Sequence, residues 1–266
     1  MRLWSELRAL PASADLLRTL SVHRINVRYK RSRLGILWAM LQPLSMMVVF
    51  TLVFGLLRGA PTQGVPYPLF AYTGVLLWSA FSGGLSSATT ALTAHASLVT
   101  KVHFPREILP LTYVVVALAD LLIGGILLVA LMARYGITVT PLALWALVAI
   151  ALLTLWLIGA GLLLSALNVK YRDLGLALPV VLQLWMFASP VLYPLSAARH
   201  ALSDLTYALY IANPMAGIVD TFRRAVVLNE QPDLQALGVS AMVTLILLPL
   251  AYVYFKVTEQ TVADVV

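Results

Sequence analysis

The side chain best placed to do chemistry is a single carboxylate. Asp120 interrupts an apolar run over about 108–133 that holds no other charged residue. An ionised group is costly inside lipid, so such an acid is by default a functional hypothesis, here the working group of a proton-coupled carrier. The plainer reading is an acid kept protonated or hydrogen-bonded between helices, and it is preferred because no apolar run carries a basic partner. Enzyme apparatus is otherwise missing: the strings GxxxxGK(S/T), HExxH and GxSxG do not occur. The four histidines, His23, His95, His103 and His200, are not at metal-ligand spacing and read as polar surface. A chain without cysteine has neither disulfides nor thiolate metal sites, which says nothing about its redox compartment.

A second chemistry is recognition by aromatic faces. Trp38, Tyr67, Trp145, Tyr193 and Tyr254 fall near the ends of apolar runs, where an interfacial belt accounts for them. Tyr72 is also near a run end, Trp78, Trp156 and Trp185 lie deeper, and these four are the candidates for stacking on sugar rings along a channel. Small residues four apart, as in Gly83, Ser87 and Ala91 or Gly161 and Ser165, let helix backbones approach and are expected in packing.

These side chains need a membrane scaffold. Of 266 residues, 61% are hydrophobic and 11% charged, where a soluble domain carries roughly a quarter charged. The expected class is an all-α integral membrane protein with six transmembrane helices, because about 20 apolar residues cross a hydrocarbon core. Charge-free stretches place the spans at about 34–57, 67–92, 108–133, 141–167, 174–195 and 234–255. Residues 1–33 are then an N-terminal segment, 34–255 the membrane domain and 256–266 a tail.

The stretch 199–233 carries Asp204, Asp220, Arg223, Arg224 and Glu230, too many charges for lipid, and is expected to form short interfacial or re-entrant helices broken at Asn213-Pro214. With the N-terminus inside, thirteen of eighteen Lys and Arg fall on the cytoplasmic side, which puts both termini there. The net charge of +7 is assigned to anionic headgroups rather than to nucleic acid. Before the first span, Leu16, Leu20 and Val27 share one helical face, and Arg24 and Arg28 separate it from another, so the segment suits an amphipathic helix in the headgroup plane.

Four strings occur in order: RYKRSRLGILWAMLQPL over 28–44, LVTKVHFPREILPL over 98–111, ALNVKYRDL over 166–174 and LYIANPMAGIVDTFRRAV over 209–226. As an ordered set, from about residue 16 to the closing EQTVADVV, they resemble the permease subunits of ABC exporters for polysaccharides and polyol phosphates, of the O-antigen, capsule and teichoic-acid type. The resemblance implies a homodimeric permease in the inner membrane of a bacterium. It would be joined to two copies of a separate ATPase that binds ATP and Mg, with no cofactor in this chain. The implied cargo is a lipid-linked glycan, O-antigen-like, moved through a channel at the dimer interface, with capsule or teichoic acid as alternatives.

The resemblance also implies roles for particular residues. Lys101, Val102, His103, Phe104, Pro105, Arg106 and Glu107 match the first coupling segment, and Lys170, Tyr171, Arg172 and Asp173 match the second cytoplasmic loop. Phe104 would fill an apolar slot on the ATPase, Pro105 would fix the turn, and Lys101, Arg106 and Glu107 would supply polar anchoring. Residues 13–33, with Arg24, Arg28, Tyr29 and Arg31, match the interface helix, and 196–230 the short helices at the outer mouth. Two further rivals stay open: an enzyme acting on lipid-linked sugars, which needs carboxylates or histidines gathered at one membrane face, and a passive assembly anchor.

Overall fold

The computed structural model describes residues 14–30, 33–56, 62–101 and 104–265, and all regular structure among them is helical. Helix α1 spans Ala14–Lys30, with Asp15 in its first turn and Arg28 and Lys30 in its last, signs that complement the helix dipole. Gly35, at φ +52°, turns the chain into α2, Trp38–Leu56. Pro43 inside α2 leaves the carbonyl of Ala39 without its helical partner, and that oxygen lies against Gly124 of a neighbouring helix. The bundle continues with α3 (Tyr67–Thr89), short α4 (Ala91–Ala94) and α5 (Ala96–Lys101), α6 (Ile108–Arg134) and α7 (Trp145–Lys170). Then follow α8 (Asp173–Phe187), three short helices α9 (Leu195–Ala201), α10 (Asp204–Ile211) and α11 (Pro214–Arg223), a π-helical turn Arg224–Leu228, and α12 (Leu234–Val265).

Among the described residues, five stretches of helix are long and apolar enough to cross a membrane, and α8 is a shorter apolar helix. The end that holds α1, α4, α5 and the α7–α8 turn is called the base, and the end that holds α9 to α11 the crown. Helix α3 is the least hydrophobic of the five and the most deeply buried. Its small and hydroxylated residues explain both facts. A Cβ on Gly84 would come within 2.7 Å of Ala117 and 2.8 Å of Leu157, so α6 and α7 press directly on its backbone. Thr73 and Thr89 return their hydroxyls to the carbonyls of Phe70 and Leu85 at 2.7 and 2.8 Å, so neither needs water. Helix α2 is the opposite case, largely exposed along Val48, Val49, Leu52 and Val53.

The expected run at 174–195 is shortened. Helix α8 has 15 residues, about 22 Å of rise against a hydrocarbon core of roughly 30 Å. The physical cause is the pair Pro190 and Pro194, which lack amide hydrogens and push their preceding residues out of helical geometry. The chain therefore turns at 188–194 and runs into the crown. There the break at Asn213-Pro214 is built as an N-cap, with the Asn213 side chain accepting the amide of Met215 at 3.1 Å.

Candidate functional site

At the base, two loops meet over a small satellite core of Ala91, Leu92, Leu109, Leu162, Ala166, Val169 and Phe255. Phe104 lies half-buried against this core beside Leu98 and Tyr113. Asn168, buried at the end of α7, ties the loops together: its amide donates to Thr93 at 3.2 Å and its carbonyl oxygen accepts the Gly175 amide at 2.9 Å. A cavity of about 450 Å³ opens between them, lined by Thr90, Thr93, Ala96, Asn168, Arg172, Gly175 and Leu176. Lys170, Tyr171, Arg172 and Asp173 project at its rim, all exposed, with the Lys170 ammonium 5.2 Å from the Tyr171 ring. These four residues form an exposed charged and aromatic surface, and Tyr and Arg are residue types enriched at protein interfaces.

The first loop is oriented differently from the expectation. Glu107 is 1% exposed, and both its oxygens lie 2.9 Å from the Lys256 ammonium of α12. Lys256 also binds Glu259 at 3.0 Å, while the Arg106 amide donates to the Glu259 carboxylate at 3.0 Å and its guanidinium to the Glu259 carbonyl. A buried carboxylate must be paired, and the chain supplies the cation itself. Glu107 is thus spent inside the subunit, and Arg106 is held against its own last helix, so neither stands free as a polar anchor. Lys101 ends α5, Pro105 sits half-buried in the turn, and Val102 and His103 lie outside the described residues. Sequence reasoning missed Lys256 and Glu259. Their signal was a charge pair three residues apart where an apolar run ends.

Asp120 has a basic partner after all. It comes from α1 rather than from a span: Arg28 lies 2.8 Å from one Asp120 oxygen and the Tyr29 hydroxyl donates to the other. Burial and the adjacent carboxylate push the Tyr29 hydroxyl above the usual range, so it stays a donor. Arg24 adds a cation–π contact with Tyr113, 5.7 Å from its ring centre, and Arg31 lies outside the described residues. The structural consequence is that α1 is pinned to α6. Beside it His95, half-buried with its ring bonded to the Ala91 carbonyl at 2.8 Å, has its pKa lowered by burial and by Arg24.

The four deep aromatics are packed against their own chain. Trp78, Phe81, Trp156 and Trp185 form an edge-to-face cluster with centroids 5.4 to 6.4 Å apart. Tyr72 has no exposed surface and donates to the Gly124 carbonyl at 2.9 Å. In this conformation Tyr72 and Trp78 offer no face to a sugar, and only Trp185 keeps appreciable exposure.

The crown holds the residue that sequence reasoning left among surface charges. Arg223 is 1% exposed and spends its guanidinium on the carbonyls of Val191 (2.7 Å), Pro190 (2.9 Å) and Tyr193 (3.4 Å) and on the Thr73 hydroxyl (3.2 Å). It also lies 3.8 Å over the Phe70 ring. The oxygens it collects are those of the non-helical turn that the two prolines impose. Asp220, also buried, is neutralised by Arg224 at 2.7 Å, which reaches on to Glu230 at 2.8 Å. Asp220 and Arg223 are therefore turned inward with their partners, while the Arg199–Asp204 pair stays at the surface. No sequence signal marked it, because the oxygens it binds are backbone carbonyls 30 to 33 positions away.

Comparison with known proteins adds the lineage. The O-antigen export system permease RfbA of Myxococcus xanthus is 32% identical over 260 residues, covering 97% of each chain. RfbA of Klebsiella pneumoniae is 27% identical over 79% of each chain. The polysialic acid transport protein KpsM of Escherichia coli is 24% identical over 91% of this chain and 92% of its own. The sequence model of the ABC-2 type transporters matches residues 16–226, which takes in nearly all of α1, the base loops and the crown through Arg223 and Arg224. This multi-pass membrane protein belongs to the ABC-2 type transporter family.

Proposed function

We propose that the chain is the membrane-spanning subunit of an ATP-driven exporter of a lipid-linked polysaccharide of O-antigen type. The base faces the cytoplasm, both termini lie there, and two copies form the channel between them. ATP and Mg are bound by two copies of a separate ATPase subunit that docks on the base. The observation that carries this reading is the match to the M. xanthus permease, which extends from the base loops through the crown. The geometry fits it: Lys170 to Asp173 stand exposed at the rim of a cavity whose floor is braced by Asn168. A partner that closes on nucleotide must push on something stiff, and a buried amide bridging two loops supplies that stiffness. O-antigen is favoured over capsule because the relative named for O-antigen export is 32% identical and one named for capsule polysaccharide export is 26% identical.

The proton carrier loses support, since both Asp120 oxygens are held by Arg28 and Tyr29. The test is purification from native cells in mild detergent, followed by an ATPase assay. A copurifying nucleotide-hydrolysing subunit is expected. Tyr171→Ala with Arg172→Ala should weaken its retention about tenfold, the effect of removing an interface anchor worth roughly 1–2 kcal/mol. Parent-level retention by that variant, or no such partner for the parent chain, would refute the assignment.

A further inference from the structure

Helix α12 runs unbroken from Leu234 to Val265, 32 residues and about 48 Å of rise, and so reaches from crown to base. At the base it is held by charge. Lys256 grips Glu107, and Glu259 takes the backbone amide and guanidinium of Arg106, so four polar contacts join α12 to the turn that follows Phe104. At the crown it is held by shape. A Cβ on Gly217 of α11 would fall 2.3 Å from the Ser240 hydroxyl and 2.4 Å from the Ala236 carbonyl, so the two helices meet backbone to backbone. Pro249 is the weak point, because it cannot bond the Leu245 carbonyl. There α7 presses closest: a Cβ on Gly159 would lie 3.3 Å from the Leu248 Cα, which braces the helix beside its missing bond. Beyond α11, Arg223 grips the carbonyls of the 190–193 turn.

We propose that α12 is the transmission element of the exporter: the Glu107–Lys256 and Arg106–Glu259 contacts drive it from the first loop, and the Gly217 seat passes its movement to the crown. Lys256 and Glu259 are then positioning residues that touch neither glycan nor nucleotide. The inference rests on the proposed docking of an ATPase at the base, and it adds the route by which that docking is felt about 30 Å away, the rise from residue 240 to 259.

The chain has no cysteine, so Ala216→Cys puts a unique thiol on α11 at a buried crown position packed with Ala236. The complex with its ATPase, reconstituted in liposomes, is treated with a membrane-impermeant maleimide with and without ATP. ATP should raise the labelling rate on the order of tenfold, the change produced by a tenfold shift in the opening equilibrium. Lys256→Met combined with Glu107→Gln removes the Glu107–Lys256 half of the link without leaving Glu107 charged and unpaired, and should cut the ATP-driven rise several-fold while the ATPase still binds and turns over. Lys256→Arg, which keeps the charge, should retain the rise. A full response in the double variant, or none in the Ala216→Cys parent while its ATPase is active, overturns the inference. Failure of any ATPase to bind the parent instead removes the proposed function, and the inference falls with it.

Discussion

Replacing Arg223 should loosen the crown by an amount that the structure sets. The guanidinium makes two short bonds, to Val191 at 2.7 Å and Pro190 at 2.9 Å, with longer ones to Tyr193 and Thr73 and a stacked contact on Phe70. Bonds from a charged donor are each worth roughly 1.5–3 kcal/mol, and Arg223→Met also leaves the buried carbonyls unpaired. Part of this is recovered because a desolvated charge is removed along with its bonds. The expected net loss is about 2–4 kcal/mol. Arg223→Lys should lose nearly as much, since an ammonium reproduces neither the planar fork nor the stacking. Thr73→Val, which removes the longer bond from Arg223 and the hydroxyl's own bond to the Phe70 carbonyl, should lose about 1–2 kcal/mol. Gly74→Ala tests the same grip from the other side, because the added Cβ would sit 2.3 Å from the Val191 oxygen and 2.6 Å from an Arg223 nitrogen. Equilibrium unfolding in mixed micelles, read by tryptophan fluorescence, measures the series. If Arg223→Met lies within about 0.5 kcal/mol of the parent, the range of an ordinary surface change, the reasoning is wrong.

The remaining predictions concern the base. Asp120→Asn breaks the Arg28 pair, which is half-exposed and so worth no more than about 1 kcal/mol; trypsin should then cut at Arg24 and Arg28 several-fold faster, and unchanged cutting would show that the pair does not hold α1. His95 has a lowered pKa in the folded chain, so the unfolded chain takes up its proton more readily. Its contribution to stability is complete above about pH 6.5 and is lost as the pH falls below that value. A pH series of unfolding midpoints should show this decline, and His95→Gln should reduce it.

Much of the scaffold was legible because lipid is a simple solvent. Apolar length alone marks the runs that become α2, α3, α6, α7 and α12, and the charges of 199–233 mark the stretch that becomes α9 to α11. The break at Asn213-Pro214 was equally plain, since proline and an N-capping side chain act on their immediate neighbours. The early end of α8 was carried by Pro190 and Pro194 but was masked by their apolar surroundings, which extend the hydrophobic run past the point where helix stops.

The pairing of charges lay beyond reach. Asp120 and Arg28 are 92 positions apart, and Glu107 and Lys256 are 149 apart. No periodicity links such positions, because they meet only when helices that cross in opposite directions bring their ends to the same face. The same holds for Arg223, whose partners are backbone carbonyls that any residue type could provide.

By itself, then, the sequence determined that the chain lives in lipid, where its long apolar runs and its polar segments fall and which family its ordered strings resemble. Those properties follow from transfer free energies and from local backbone rules, each of which acts over a few neighbouring residues or along one helix. The tertiary structure decided that Glu107 turns inward, that Asp120 is claimed by α1, that Tyr72 and Trp78 are packed in the core, and that Arg223 fastens the crown. A buried charge takes whichever partner the packing brings within about 3 Å, and that choice is made in three dimensions.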